Sequence, residues 1–218
     1  AGNRQEHNIQ MEKGNMEMKM NKMLDFESCI NEAKAFHGEA CAGTVIGTRM
    51  AILGLREIGI ADPKGADRKD LIVYAEMDRC ASDAILAVTG CHPGKRSLKI
   101  CDYGKMAATF INLKTGKAVR VWAKNKDGNR VMTREDVEKA PHTEAYTMLP
   151  LEELFETREV RVEMKPEDLP GRPLLIVTCE RCGERVMDMR HEQIDGKYLC
   201  RPCAAGKNYY SPLEEKGR

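Results

Sequence analysis

Four cysteines near the end of the chain limit its fold more than any other feature. Cys179 and Cys182 form one CxxC pair, Cys200 and Cys203 form a second, and seventeen residues separate the pairs. This spacing is typical of four thiolates that surround one zinc ion. Because four cysteines complete the tetrahedral coordination, no position stays open for water, and a structural role is favoured over a catalytic one. A redox dithiol pair is the alternative, which the twinned spacing disfavours.

Composition disfavours several classes of protein. The 218 residues carry a formal net charge of +1, so nucleic acid is an unlikely main partner. No apolar run approaches the ~20 residues of a membrane-spanning helix. The nine cysteines are an odd number, and we expect no secretory signal before them. We therefore predict reduced thiols in the cytoplasm rather than a disulfide framework.

Composition also divides the chain into three parts. Residues 1–22 are polar and rich in methionine, and we predict a flexible extension there. Residues 165–173 are rich in proline, which is typical of a linker. The core domain is therefore predicted over residues 23–165, and a small four-cysteine zinc module over residues 174–210.

The spacing of apolar residues in the core domain predicts an α+β fold. Two helices are expected between Asp25 and Gly59, interrupted after Gly38, and a third is expected to stop at Gly90. Strands are predicted at residues 71–75, 106–113, 118–122 and 160–163, and a helical turn at residues 151–155. Helices come first and then alternate irregularly with strands, which favours the α+β class.

A second group of metal-binding residue types lies in the core domain. His37 and Cys41 lie at the turn between the first two helices, Cys80 opens the third helix and Cys91 follows its end. A helix N-terminus lowers the pKa of a nearby thiol and favours the thiolate, which binds metals and attacks electrophiles. If these turns converge, the four residues form a nitrogen and sulfur site for zinc or another transition metal. Cysteine is also a common core residue, so spacing alone leaves a packing role open.

Three separated blocks in the core domain carry a family resemblance. They are FHGEACAGTVIGTRMA at residues 36–51, DRCASDAILAVTGCHPGKRSL at residues 78–98 and DYGKMAATF at residues 102–110. In this order they resemble the FmdE family, which is named after a component of formylmethanofuran dehydrogenase. The resemblance implies an archaeal, cytoplasmic accessory protein of a molybdenum or tungsten oxidoreductase in C1 metabolism, as in methanogenesis. It also implies an α+β core that forms a homodimer and holds a Cys and His pocket, often with metal.

The resemblance assigns the pocket to His37, Cys41, Cys80 and Cys91. The family motif HGHxCPG is changed in this chain, which has Glu39 in place of the second histidine and Ala42 in place of the proline. Glu39 can still bind a metal, but its harder oxygen changes the metal preference.

Charged residues around the other motif segments are candidates for ligand binding. Lys95 and Lys105 could bind an anionic cofactor through a phosphate or carboxylate, although a solvated surface explains them equally simply. Asp78 is a candidate hydrogen-bond partner for the His37 ring. Asp83 is expected near the start of the third helix, where it would interact with the helix dipole.

Three functions stay open on this evidence. The leading hypothesis is a metal-binding accessory protein with a Cys and His pocket and a structural zinc finger. The second is an enzyme with Cys41 as nucleophile and His37 as base, which requires a hydrogen-bonded pair beside a concave pocket. The third is an interaction or nucleic-acid module with a basic surface on residues 175–210, whose binding would depend steeply on salt. The chain has no Gly-rich dinucleotide fingerprint and no haem or iron–sulfur motif, which argues against a self-sufficient dehydrogenase.

Overall fold

The computed structural model describes residues 24–125, 128, 133–138 and 143–212. The chain divides into two compact units between Glu163 and Met164. We call them the N-terminal unit and the C-terminal unit, and each is described by itself. The predicted flexible extension of residues 1–22 lies outside the described residues.

Three helices form one layer of the N-terminal unit. Helix α1 spans Phe26–His37, α2 spans Ala42–Glu57 and α3 spans Cys80–Thr89. Helix α1 begins where the Asp25 carboxylate accepts a hydrogen bond from the Ser28 N–H at 3.0 Å. It ends at Gly38, whose φ of 101° suits a residue without a β-carbon. Within the described residues, no helix combines the length and apolar character that a bilayer crossing requires.

Five strands form one sheet in the order β2-β1-β3-β4-β5. The strands are β1 Leu71–Ala75, β2 Leu98–Ile100, β3 Ala107–Asn112, β4 Ala118–Ala123 and β5 Phe155–Glu159. Strands β1 and β2 are parallel, and the other neighbours are antiparallel. Strand β1, helix α3 and strand β2 therefore form a βαβ unit. Helix α3 begins just beyond the carboxyl end of β1, an edge where α/β sheets commonly bind ligands.

Helix α2 packs directly on the inner face of the sheet. Val73 of β1, Phe110 of β3 and Leu55 of α2 are fully buried in one hydrophobic cluster. A β-carbon on Gly54 would lie 2.2 Å from the Phe110 ring, so this glycine lets the helix approach the strand. This mixed layer of helices and strands confirms the predicted α+β class.

Two strands differ from the sequence prediction. Strand β2 was not predicted, because it has only three residues and its parallel partner is distant in sequence. The last strand of the sheet is Phe155–Glu159, whereas the alternation pattern placed it at residues 160–163. Phe155 is the sole buried residue of β5, so hydrophobic alternation could not indicate this strand. Pairing with β4 sets its position instead.

Short elements complete the two units. The N-terminal unit also contains a 3₁₀ helix, Pro93–Lys95, and the short helices α4 Arg134–Glu138, α5 Thr143–Met148 and α6 Leu151–Leu154. The C-terminal unit contains a 3₁₀ helix, Pro166–Asp168, the paired strands β6 Ile176–Thr178 and β7 Arg185–Met187, the paired strands β8 His191–Ile194 and β9 Lys197–Cys200, and helix α7 Arg201–Ala205. Among the described hydrophobic residues of the C-terminal unit, only Cys179 and Leu199 are buried. A unit with so small a core needs another source of stability.

Candidate functional site

The four cysteines of the C-terminal unit converge on one point. The Sγ atoms of Cys179, Cys182, Cys200 and Cys203 all lie within 4.8 Å of one another. The Cys182 and Cys200 sulfurs are 3.9 Å apart. Backbone N–H groups of Cys182 and Cys200 lower the pKa of the Cys179 thiol to about 6. The thiolate is the form that binds zinc, so the backbone prepares this site for a metal.

The surrounding backbone holds the two CxxC pairs face to face. The Gly183 N–H donates to the Cys179 carbonyl at 2.8 Å, and Gly183 has a φ of 78°. The Glu180 N–H donates to the Tyr198 carbonyl at 2.9 Å, which ties the first pair to strand β9. Cys203 follows Pro202 in the first turn of α7.

A second cluster lies in the N-terminal unit, where three helix ends meet. A ring nitrogen of His37 and the sulfurs of Cys41 and Cys80 lie within 4.8 Å of one another, and all three residues are partly exposed. His37 ends α1, Cys41 immediately precedes α2, and Cys80 begins α3. The structure thus brings together three of the four residues that the sequence suggested. We call His37, Cys41 and Cys80 the core cluster.

Two glycines of α2 allow the sulfurs of the core cluster to approach each other. A β-carbon on Gly43 would lie 2.9 Å from the Cys80 β-carbon. A β-carbon on Gly47 would lie 2.6 Å from the carbonyl oxygen of Ala81. Real side chains essentially never make contacts this short, so α2 and α3 touch through their backbones. The distance between Cys41 and Cys80 follows from this contact.

Cys41 is the thiol of the pair that ionises more readily. Its Sγ accepts the Thr44 N–H at 3.4 Å, and its own N–H donates to Thr44 Oγ1 at 2.9 Å, which caps α2. Burial alone would raise the pKa of Cys41, but hydrogen bonds from Thr44 and Cys80 outweigh burial and hold the pKa below its usual value. Burial and the neighbouring Cys41 sulfur raise the pKa of Cys80. The two sulfurs therefore share one proton over a wide pH range.

The imidazole ring of His37 is held by Asp83. Its Nδ1 lies 2.8 Å from Asp83 Oδ2, and this hydrogen bond raises the pKa of His37. The sequence had suggested Asp78 as the partner, but Asp78 lies exposed before α3 begins. Asp83 lies three residues after Cys80 on α3, and residues at this spacing lie on one side of a helix. That spacing was the signal that could have identified Asp83.

Cys91 is not part of the core cluster. It is 2% exposed, its Sγ lies 3.9 Å from the Leu71 carbonyl oxygen, and burial raises its pKa. Helix α3 has ten residues, and at ~1.5 Å per residue it separates Cys80 from Cys91 by about 15 Å. Cys91 is therefore a core-packing residue in this fold.

The two lysines suggested as anion ligands are exposed. Lys95 ends the 3₁₀ helix before β2. Lys105 lies in the loop after β2, with its Nζ 5.8 Å from the centre of the Tyr103 ring. Neither lysine belongs to the core cluster.

A mixed helix and sheet unit with a Cys and His cluster, followed by a four-cysteine unit, defines a two-part metal-binding protein. Residues 36–169 match the family model described as "FmdE, Molybdenum formylmethanofuran dehydrogenase operon". Residues 172–209 match the model of the "Prokaryotic dksA/traR C4-type zinc finger". The first match covers more than half of the chain, so the protein belongs to the FmdE family. This confirms the resemblance, and the second match with the converging thiols indicates a structural zinc site.

Two known proteins are similar to most of the chain. A crystal structure of an FmdE-like protein of tungsten formylmethanofuran dehydrogenase, from Syntrophus aciditrophicus, aligns with a TM-score of 0.52 and 24% identity, over 85% of this chain and 95% of that one. This likeness shows a shared fold. A probable S-adenosyl-L-methionine-binding protein from Archaeoglobus fulgidus is 26% identical over 92% of this chain. The chain spans 57% of the length of that relative.

Proposed function

We propose that the protein is a metal-binding accessory protein of a molybdenum or tungsten enzyme of the formylmethanofuran dehydrogenase type. The observation that carries the proposal is the core cluster, in which His37, Cys41 and Cys80 bring one imidazole and two thiols within 4.8 Å. The family description supports it, because it refers to the operon of a molybdenum enzyme.

The core cluster has the chemistry of a transition-metal site. Two sulfurs and one imidazole nitrogen suit zinc, and also softer transition metals. Asp83 holds the other ring nitrogen of His37, as a carboxylate commonly does for a metal-bound histidine. Glu39 is exposed and does not belong to the cluster. A metal held here would supply a Lewis acid at the surface of the unit.

The two metal sites have different roles in this proposal. Four thiols complete the coordination of zinc in the C-terminal unit, whereas His37, Cys41 and Cys80 provide three ligands. Structural zinc sites are normally closed by four protein ligands, and functional sites normally keep a position for a further ligand. We therefore assign stability to the zinc finger and ligand binding to the core cluster.

Metal analysis of purified variants tests the core cluster directly. We expect two metal equivalents in the wild type, and one equivalent in both Cys41→Ser and Cys179→Ser. Cys101→Ser is the matched control, because Cys101 is partly exposed and belongs to neither cluster. If Cys41→Ser keeps all its metal while Cys179→Ser loses all of it, the core metal site is refuted.

The proposal includes a cytoplasmic homodimer that associates with a dehydrogenase complex, as the family resemblance implies. Light scattering of the purified protein tests the dimer, and a monomer mass would contradict it. Affinity purification from the native cell tests the association. Recovery of a molybdenum or tungsten dehydrogenase with the wild type supports it, and repeated recovery of the protein alone counts against it.

A thiol enzyme is the second candidate function. Cys41 has a lowered pKa, and His37 is hydrogen-bonded to Asp83 within reach of Cys41. A nucleophile, a base and an orienting carboxylate in this order are typical of nucleophilic catalysis. Alkylation with iodoacetamide distinguishes the two functions. Under the enzyme hypothesis Cys41 reacts fast in the protein as purified and slowly in His37→Ala, whereas a bound metal protects Cys41 in the wild type.

The name of the Archaeoglobus fulgidus relative suggests S-adenosyl-L-methionine as a further ligand. A described pocket of the N-terminal unit, between Phe26, Arg49 and Leu151, has a volume of about 190 Å³. Small-molecule sites usually exceed about 300 Å³. We therefore do not extend this ligand to the present chain.

A further inference from the structure

We infer that Asp83 is the positioning residue of the core cluster, and that it decides which ring nitrogen of His37 faces Cys41 and Cys80. The inference deepens the proposed function and rests on it where metal affinity is concerned. The observation behind it is the 2.8 Å separation between His37 Nδ1 and Asp83 Oδ2.

Hydrogen-bond chemistry fixes the direction of this contact. An ionised carboxylate can only accept, so Nδ1 must carry the hydrogen and donate it to Asp83 Oδ2. In the neutral ring the lone pair then lies on Nε2, the atom that can bind a metal or accept a proton. Without an acceptor on Nδ1, the two tautomers interconvert and the ring rotates away from a single orientation.

Packing beneath the contact keeps Asp83 within reach of His37. Ala33, one turn before His37 on α1, and Ala84, next to Asp83 on α3, are both fully buried in one small hydrophobic cluster with Ile30. Two alanines allow the helices to approach closely, so the last turn of α1 lies against the first turn of α3. The hydrogen bond therefore spans a fixed gap between two helices.

Partial exposure of the pair leaves room for a ligand at the surface. The side chain of His37 is 19% exposed and that of Asp83 is 43% exposed. The sulfurs are positioned separately, by the contact of Gly43 and Gly47 with α3. Removal of Asp83 should therefore release the His37 ring while the two sulfurs and the fold stay in place.

Zinc affinity of the full-length protein provides the first test. We expect Asp83→Ala to weaken zinc binding at the core cluster roughly 10- to 100-fold in competition with a chromophoric chelator. Asp83→Asn keeps an acceptor oxygen and should restore most of the affinity. Asp78→Asn is the matched control and should bind as the wild type does. The zinc finger in the same molecule is an internal reference, and its affinity should not change.

Nuclear magnetic resonance of the His37 ring provides a readout that a purely structural role would not alter. With the core cluster free of metal, long-range ¹⁵N correlations should show hydrogen on Nδ1 in the wild type and a tautomer mixture in Asp83→Ala. Asp83→Ala with the wild-type tautomer and wild-type zinc affinity would overturn the inference. If the wild type binds zinc at the finger alone, the proposed function fails, and the tautomer measurement still decides the role of Asp83.

Discussion

Gly47 of α2 lies so close to Ala81 of α3 that a β-carbon on Gly47 would come within 2.6 Å of the Ala81 carbonyl oxygen. Cys41 precedes α2 and Cys80 begins α3, so this backbone contact determines the distance between their sulfurs. The core cluster therefore depends on the packing of two helices as well as on the identity of its ligands.

We predict that Gly47→Ala destabilises the N-terminal unit and impairs its metal site. The added methyl group must push α3 away from α2, and overpacking of this kind costs about 1–3 kcal/mol. Urea unfolding followed by Trp122 fluorescence measures the change, since the chain contains one tryptophan and it lies on β4. Core metal affinity should fall while zinc finger affinity stays constant.

Gly94→Ala is the control for Gly47→Ala. A β-carbon on Gly94 would meet no atom within 4 Å, so the change should stay within about 0.5 kcal/mol. Equal stability of the Gly47→Ala variant and the wild type would contradict the close contact between the helices.

The charge of His37 should depend on Asp83. The hydrogen bond raises the pKa of His37, so the charged pair stabilises the fold below the ordinary histidine pKa of about 6.5. This stabilisation is lost as the pH rises through the raised pKa. We predict that the metal-free wild type shows a His37 titration midpoint above that of Asp83→Asn. Identical midpoints in the two proteins would show that the hydrogen bond is not formed in solution.

Local sequence rules were sufficient for the ligands that lie at turns. CxxC pairs are short, so their sulfurs converge whatever the rest of the fold does, and the four zinc finger cysteines follow from this. His37 and Cys41 are also close in sequence and flank a single glycine turn. Cys80 required the additional inference that two helix starts meet, which Gly43 and Gly47 make possible.

The errors arose where helix phase and length decide the outcome. Cys91 is adjacent to a histidine and follows a helix, but sequence proximity does not show that α3 carries it to the opposite end of the site. Asp78 and Asp83 lie on either side of Cys80, and only the rotation of α3 determines which one faces α1. Both questions concern the relative placement of α1 and α3, which no local pattern records.

The ion pair between Glu76 and Arg120 should contribute to the stability of the N-terminal unit. The guanidinium donates to both carboxylate oxygens, at 2.6 and 2.8 Å, and Glu76 is 9% exposed. Arg120→Ala leaves a buried carboxylate without its partner, and we predict a loss of about 2 kcal/mol in the free energy of unfolding. Arg158→Ala, which removes an exposed guanidinium near the same Trp122 ring, should cost less than about 1 kcal/mol.

The contribution of this ion pair should also vary with pH. The hydrogen bond from Arg120 holds the pKa of Glu76 below its ordinary value. The stabilisation is therefore present above the ordinary glutamate pKa and is lost as the pH falls through the lowered one. The stability difference between wild type and Arg120→Ala should shrink in acid, and a difference that grows instead would refute the ion pair.

Removal of zinc should unfold the C-terminal unit alone. Cys179 and Leu199 are its only buried hydrophobic residues among those described, and so small a core rarely folds without its metal. With excess chelator, we predict that β8 and β9 lose hydrogen-exchange protection while Trp122 fluorescence keeps its native maximum. Protection that persists after zinc removal would show that the unit folds without metal.

Oxidation should link Cys41 to Cys80 when no metal separates them. Their sulfurs lie within 4.8 Å of each other, and both residues are partly exposed. Hydrogen peroxide converts one thiolate to a sulfenic acid, and the second thiol then displaces water to form the disulfide, with two waters produced per peroxide. The sulfurs must close to about 2.05 Å, so we predict a slow but specific cross-link after removal of metal.

Mass spectrometry of tryptic peptides detects this cross-link. The experiment is best performed in Cys91→Ala, because trypsin leaves Cys80 and Cys91 in one peptide. Cys80→Ser is the matched control, in which oxidation of Cys41 should stop at the sulfenic acid or pass to higher oxides. Cys101 should stay out of the cross-link, since it belongs to neither cysteine cluster. Bound metal should slow the reaction by occupying both sulfurs, and an equal rate with and without metal would show that these thiols do not share a metal.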